Sequence, residues 1–351
     1  MTSVNKSVIP IACLCGRVSQ KVQLSPSASS VLNLCHCNSC REITGLLCSS
    51  YHPLQDLPTA ISSLQGYQQT EDITRYFCPT CGAHCFLHLK HLGKYLVASG
   101  LLETELQHPV KDICHWGVAD TSDGGLSLFL PGARIPSGSR CRFFCSQSPD
   151  MEEQPIFEDA HCLQARCHCG GIHFTVTKPN SMSLEPSSPW PDLLVPYHSA
   201  SSENKNDVKW WLRNRNSKYL AGTCACPSCR LGSGFPIQTW AFIPKSNILG
   251  TNGSTLTFDM PTMQRYESSP RVYREFCSRC GATAFWHCEE RPRIIDVSVG
   301  LLRASSGPLA GEWLDWVHDR VSFSEMAMDK AFIGLLASGL QNWGVEEAGS
   351  H

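Results

Sequence analysis

The 351-residue chain predicts a mainly β fold built twice over, with one short helix near the C-terminus. Two observations carry that expectation. Short β-prone runs such as 171–177 and 294–299 alternate with Gly, Pro and Ser turns, and the first half offers little sustained helical periodicity. Fourteen of the 21 cysteines fall into two copies of one pattern: C-x-C, then C-x-C-x-x-C followed by Arg, then F-C-x-x-C-G.

The first copy is Cys13 and Cys15, then Cys35, Cys37, Cys40 and Arg41, then Phe77, Cys78, Cys81 and Gly82. The second is Cys167 and Cys169, then Cys224, Cys226, Cys229 and Arg230, then Phe276, Cys277, Cys280 and Gly281. The offset between copies grows from 154 to 189 to 199, so the second copy holds 35 extra residues before its triplet and 10 more after it. The larger insertion falls at about 178–218, where Pro, Ser, Asn and charged residues suit a surface excursion. A polar, acidic, proline-interrupted stretch after Cys145 reads as an exposed linker with the cut near residue 155. The expected organisation is a first domain over 1–150, a linker over 151–162, a second domain over 163–330 and a helix end and tail over 331–351. The one segment that reads as helix is 323–340, with Ser324 and Glu325 suiting a start and Gly339 an end.

A net charge of −2 with 42% hydrophobic residues gives no electrostatic footprint for a polyanion. No basic segment leads into a long apolar run at the N-terminus, and the apolar tract 331–340 is too short to span a bilayer. A reducing cytosol or nucleus is the expected setting, where clustered cysteines bind metal more often than they form disulfides. Disulfides are the bland alternative.

On a strand, C-x-C would set two thiolates side by side, and C-x-x-C-Gly makes a turn that gathers two more. Cys13, Cys15, Cys78 and Cys81 are therefore expected to form a closed four-cysteine zinc site, and Cys167, Cys169, Cys277 and Cys280 its counterpart. Cys35, Cys37 and Cys40, and likewise Cys224, Cys226 and Cys229, supply three ligands each. Three protein ligands with an open position is the usual make-up of a catalytic zinc site. The alternatives are a fourth ligand from a nearby residue, or reduced thiols without metal. His84, His88 and His91 follow the first knuckle and are candidates for that ligand or for a proton carrier, while His36 and His168, each between two ligands, are expected to point away. Up to four zinc ions per chain follow from this partition.

Arg after each triplet, Gly45 and Gly234 five residues past its last cysteine, the F-C-x-x-C-G knuckle, and Gly-Leu-Leu at 100–102 and 300–302 together resemble the glutathione-dependent formaldehyde-activating enzymes. That family shares its domain with centromere protein V. Residues 120–125 also look like the later region of fungal members, which implies a fungal source. The resemblance implies two tandem Mss4-like zinc-binding β-sheet domains, each with one structural and one catalytic zinc. It implies a carbon-sulfur lyase that joins glutathione, as co-substrate, to an aldehyde, or acts on a related thiol adduct, with the triplet cysteines holding the reactive zinc. The competing class is a non-catalytic zinc scaffold for a protein or nucleic-acid partner. The second triplet departs from the family pattern, with Ala225 where the first has His36 and Pro227 inside it, so the second site is expected to differ in substrate or to be less active.

Lys209-Trp210-Trp211-Leu212-Arg213-Asn214-Arg215 interleaves basic and aromatic residues as a nucleic-acid surface would. Its charge is modest in a near-neutral chain, and the two tryptophans are better read as anchors of the insertion, which could itself be a lid or mere decoration. The spare cysteines, Cys48, Cys85, Cys114, Cys141, Cys145, Cys162 and Cys288, lack shared spacing and are expected to be buried small hydrophobes.

Overall fold

A computed structural model of the chain describes residues 8–25, 31–106, 112–134, 161–189 and 204–349. The expected linker up to residue 160, Cys141 and Cys145, and the middle of the insertion lie outside them. The architecture is mainly β, with three α-helices among the described residues: α1 (Asn38–Thr44), α2 (Pro227–Ser233) and α3 (Lys330–Gly349). No helix among the described residues is long and apolar enough to cross a membrane.

Each half opens with an antiparallel hairpin, Val8–Ala12 with Ser19–Gln23 and Cys162–Arg166 with His173–Thr177. A main sheet follows in the same strand order twice. In the second half Leu314–Trp316 lies parallel to Lys218–Cys224, followed by Gln238–Pro244, Ile294–Ser298, Thr283–Cys288, Val272–Cys277 and Met263–Ser269. In the first half Asp112–Trp116 lies parallel to Val31–Cys35, and Tyr51–Pro53, Lys94–Ala98, His84–Leu89, Ile73–Phe77 and Gln65–Gln68 follow. There, among the described residues, the two groups of strands join through the bridge Cys35–Ser49. A bulge interrupts the register just before each knuckle, at Tyr76/Phe77 and at Glu275/Phe276, and turns the strand toward it.

The halves dock face to face through equivalent residues. Gly45 caps α1 and Gly234 caps α2, both at φ 78°, a left-handed conformation that favours glycine. The Gly300 N–H donates to Gly45 O at 3.1 Å, and the Gly100 N–H donates to Gly234 O at 2.9 Å. A Cβ on Gly45 would stand 2.1 Å from Thr283 O, and one on Gly234 would stand 2.2 Å from His84 O. Gly82 abuts the Phe276 ring while Gly281 abuts the Phe77 ring. This is the self-complementary pattern of a two-fold dimer interface, here formed within one chain. One buried apolar cluster consequently runs from Leu32, Leu46 and Phe129 of the first half into Phe174, Trp211, Phe285 and Trp313 of the second, while Ile9, Ile11, Phe86, Val97 and Leu101 belong to a separate core of the first half.

The C-terminal helix differs from its expected span. Residues 324–326 form one 3-10 turn after Phe323, whose φ is 58°, and the α-helix starts at Lys330 with the Asp329 carboxylate accepting from the Phe332 N–H at 2.9 Å. Asp329, not Ser324, is the cap. Gly339 does not end the helix. It lies inside it, so close to Phe129 that an added Cβ would sit 1.9 Å from Phe129 O. The helix thus packs on both halves, Phe332 against Phe235 and Trp343 against Phe129.

Candidate metal centres

Neither C-x-C lies on a strand. Cys13 and Cys15 occupy the turn of the first hairpin, and Cys167 and Cys169 the turn of its counterpart, so a tight turn rather than strand alternation presents the sulfurs. The Val18 N–H donates to Cys13 Sγ at 3.3 Å and the Ile172 N–H to Cys167 Sγ at 3.2 Å. In each triplet the first cysteine ends a strand and the second is the N-cap of a seven-residue helix. Cys37 Sγ accepts from the Cys40 N–H at 3.4 Å, and Cys226 Sγ accepts from the Cys229 N–H at 3.3 Å.

The fourteen cysteines gather into four clusters, and within each the sulfurs lie within 4.8 Å of one another: Cys13, Cys15, Cys78 and Cys81; Cys167, Cys169, Cys277 and Cys280; Cys35, Cys37 and Cys40; Cys224, Cys226 and Cys229. Cys13 to Cys15 is 3.6 Å, Cys15 to Cys78 is 3.4 Å, Cys167 to Cys169 is 3.5 Å, Cys169 to Cys277 is 3.4 Å and Cys35 to Cys37 is 3.5 Å. A tetrahedral zinc with Zn–S bonds of about 2.3 Å spaces its sulfurs about 3.8 Å apart, and a disulfide needs about 2.05 Å. The donor sets fit zinc, and no cysteine among the described residues is in a disulfide.

Sulfurs this close cannot all ionise without a cation among them. Hydrogen bonding from Cys13 holds the Cys78 thiol far below its ordinary value, and Cys167 does the same for Cys277. The same crowding pushes Cys81 and Cys280 far up. A divalent ion removes that conflict by replacing shared protons.

No histidine joins any of the four clusters among the described residues. His84 is buried and donates through Nε2 to Ile43 O at 3.0 Å, His88 stacks on Tyr95, and His91 is exposed. His36 is buried with its Nε2 2.9 Å from His115 Nδ1. His168 reaches into the other half, its Nδ1 2.7 Å from the Tyr67 hydroxyl. Among the spare cysteines Cys48, Cys85 and Cys288 are buried, whereas Cys114 and Cys162 are half-buried. Trp210 and Trp211 are buried, and the Trp211 Nε1–H donates to Ser183 O at 3.0 Å, tying the two described ends of the insertion together.

The triplets share a neighbour that spacing did not disclose. Arg75, fully buried, donates through Nη2 to Cys40 Sγ at 3.0 Å, and Arg274, at the equivalent position and 4% exposed, donates through Nη2 to Cys229 Sγ at 3.5 Å. The signal was present as R-x-F-C in both copies. The arginines that follow the triplets have diverged. Arg230 donates to Gly100 O at 2.6 Å and Leu102 O at 2.7 Å across the interface, while Arg41 turns inward to His36 O and the Asn38 side chain. The first triplet is buried throughout, with the Gly117 turn packed on Cys37, and the second is the more open because Cys226 is half-exposed.

A family model described as glutathione-dependent formaldehyde-activating enzyme matches residues 8–116 and 207–317, more than half of the chain. The chain belongs to this family. No curated protein and no solved structure gives a significant match. The glutathione-dependent formaldehyde-activating family is zinc-binding, and all four cysteine clusters of this member could hold zinc. The second matched region begins after Cys167 and Cys169, yet the fold brings both to Cys277 and Cys280.

Proposed function

We propose that the chain is a zinc-dependent carbon-sulfur lyase that makes and breaks glutathione-aldehyde adducts of the S-hydroxymethylglutathione type. The observation that carries this reading is the contrast in ligand number: two clusters offer four sulfurs and two offer three, with no fourth side-chain ligand beside the triplets among the described residues. Four sulfurs complete a tetrahedral ion and leave it structural, whereas three leave a position for substrate. When bound there, zinc would lower the pKa of a substrate thiol or polarise an aldehyde oxygen. In the forward direction the thiol sulfur bonds to the carbonyl carbon, and the thiol proton ends on the carbonyl oxygen. The reverse step returns both.

In this reading the triplet cysteines hold the reactive ion, and helices α1 and α2 aim the second and third of them. The quartets hold each hairpin turn to its knuckle, across more than 60 residues of chain. The units 1–150 and 163–330 are two copies of one module in which the first site is enclosed and the second more open. Kinship with centromere protein V and a fungal source belong to the same reading and rest on the motifs.

Glutathione-dependent turnover of formaldehyde tests it, with the uncatalysed addition subtracted. Cys35→Ser and Cys224→Ser together should abolish turnover while the fold survives. Equal rates in wild type and the double variant would favour the zinc scaffold instead.

A further inference from the structure

A buried guanidinium needs a compensating negative charge, since an ion taken from water without a partner is strongly unfavourable. Arg75 has three side-chain partners: Cys40 Sγ at 3.0 Å, the Tyr51 hydroxyl at 3.0 Å and Gln69 Oε1 at 2.6 Å. Arg274 has Cys229 Sγ at 3.5 Å and Ser228 Oγ at 2.9 Å. Neither forms an ion pair with a carboxylate among the described residues. The nearby acids are engaged elsewhere, Glu275 with Arg265 and His287 and Asp296 with Arg291. Among the described residues, the sulfurs are the negative groups that accept hydrogen bonds from these arginines, with Asp296 acting on Arg274 through space.

A divalent ion with three thiolates carries −1, and one guanidinium in contact offsets it; at the first triplet the buried Arg41 also acts on Cys37 and Cys40, and Asp120 and Asp123 act on Arg41 in turn. The quartets, at −2 when loaded, each present a half-exposed sulfur, Cys15 or Cys169, that water can screen, as Cys226 does in the second triplet. We propose that Arg75 and Arg274 are the counter-charges of the triplet centres, setting how tightly each holds its metal and favouring a thiolate as the fourth ligand. The inference rests on the reading of the triplets as metal sites. Both arginines reach the last cysteine of the triplet, which is buried in each copy, so they act through the sulfur and are positioning residues.

The test is competition between the purified full-length protein and a chromogenic zinc chelator, for wild type and for Arg75→Met, Arg75→Lys, Arg274→Met and Arg274→Lys. Partners behind metal ligands are typically worth roughly 10–100-fold in affinity. Each Met variant should release one zinc per chain at a chelator concentration lower by about that factor, and each Lys variant should recover most of the loss. Cobalt-loaded protein titrated with glutathione supplies a second readout: the Met variants should need more thiol to change the cobalt spectrum. Four zinc ions per chain with unchanged competition in both Met variants would overturn the proposal alone. Lys variants as impaired as the Met variants would overturn it too, since packing rather than charge would then be responsible. If Arg75→Met fails to fold, Arg274→Met in the more open copy and the two Lys variants decide. Wild-type protein holding only two zinc ions would sink the open-site reading, and this proposal with it.

Discussion

Gly45→Ala and Gly234→Ala place a methyl group where the two halves touch, and the cost can be worked out from neighbouring atoms. The left-handed backbone alone costs an alanine about 1–2 kcal/mol. The added carbon would lie 2.1 Å from Thr283 O in one case and 2.2 Å from His84 O in the other, against an ordinary carbon-oxygen contact of about 3.3 Å. Relief requires main chain to move by more than an ångström, and overpacking of this kind costs about 1–3 kcal/mol. Displacing Gly45 also weakens the Gly300 N–H bond to its carbonyl, worth about 1 kcal/mol. The sum is about 3–6 kcal/mol. Gly253→Ala is the matched control, because Gly253 has φ 76° and nothing within 4 Å of an added Cβ, so it should lose only the first 1–2 kcal/mol. At roughly 2 °C per kcal/mol for a chain of this size, the expected drops in Tm are about 6–12 °C against about 2–4 °C. Thermal melts of zinc-replete protein read the difference. If Gly45→Ala melts no lower than Gly253→Ala, the docking of the halves through their helix caps is wrong.

Because one apolar cluster spans both halves and includes Cys277, the elements it joins should unfold together despite their tandem origin, and Cys277→Ser, which breaks the second quartet, should lower that shared transition by more than about 5 kcal/mol. Separate transitions for the first-half and second-half residues of that cluster, with only the second-half one moved by the substitution, would contradict the shared core. Asp329→Ala removes the cap of α3 and should cost about 1 kcal/mol, whereas Ser324→Ala should cost less than half of that in the same melts. His84, pushed down from 6.5 to about 3 first by burial and then by Arg75, takes up no proton in the folded chain while the unfolded chain does. Its contribution is therefore complete above pH 6.5 and is lost as pH falls toward about 3, with a slope of at most about 1.4 kcal/mol per pH unit. His84→Gln, which keeps a donor for Ile43 O, should flatten the fall in stability between pH 6.5 and 5, and parallel curves would contradict the assignment.

The cysteine partition was legible because thiolate geometry ties spacing to chemistry: a Cys-x-x-Cys turn ending in glycine has few other uses in a reducing compartment. The local structure beneath it was not. Helices α1 and α2 have seven residues each, too short to show a period, and each is started by a metal-ligand candidate, Cys37 or Cys226, in place of an ordinary cap. The C-terminal helix was visible but its ends were not. Ser324 and Glu325 imitate a start, yet the left-handed Phe323 and the 3-10 turn end that run before Asp329 begins the helix. Gly339 imitates a stop, and its absent side chain serves a contact with Phe129 that only tertiary structure reveals. Arg75 and Arg274 stood at matching positions in both copies but could not be told from surface arginines without their burial.

The motif carries two requirements superimposed. Its cysteines form sets that could hold an ion, but Phe77 and Phe276, Gly82 and Gly281, Gly45 and Gly234, and Gly100 and Gly300 answer to the opposite half, each pair used reciprocally across the pseudo-two-fold. A self-complementary face requires both partners to keep the same residues, because a change in one copy damages a contact whose equivalent is intact in the other. Retention of phenylalanine and glycine in a half is therefore no argument that the half turns over substrate. What differs between copies lies at the triplets: His36 against Ala225, a covering Gly117 turn against a half-exposed Cys226, and an inward Arg41 against an Arg230 that grips the other half. If only one site turns over, these differences separate the two, and the half-exposed Cys226 gives the second triplet an approach from solvent, while Cys35, Cys37 and Cys40 are buried.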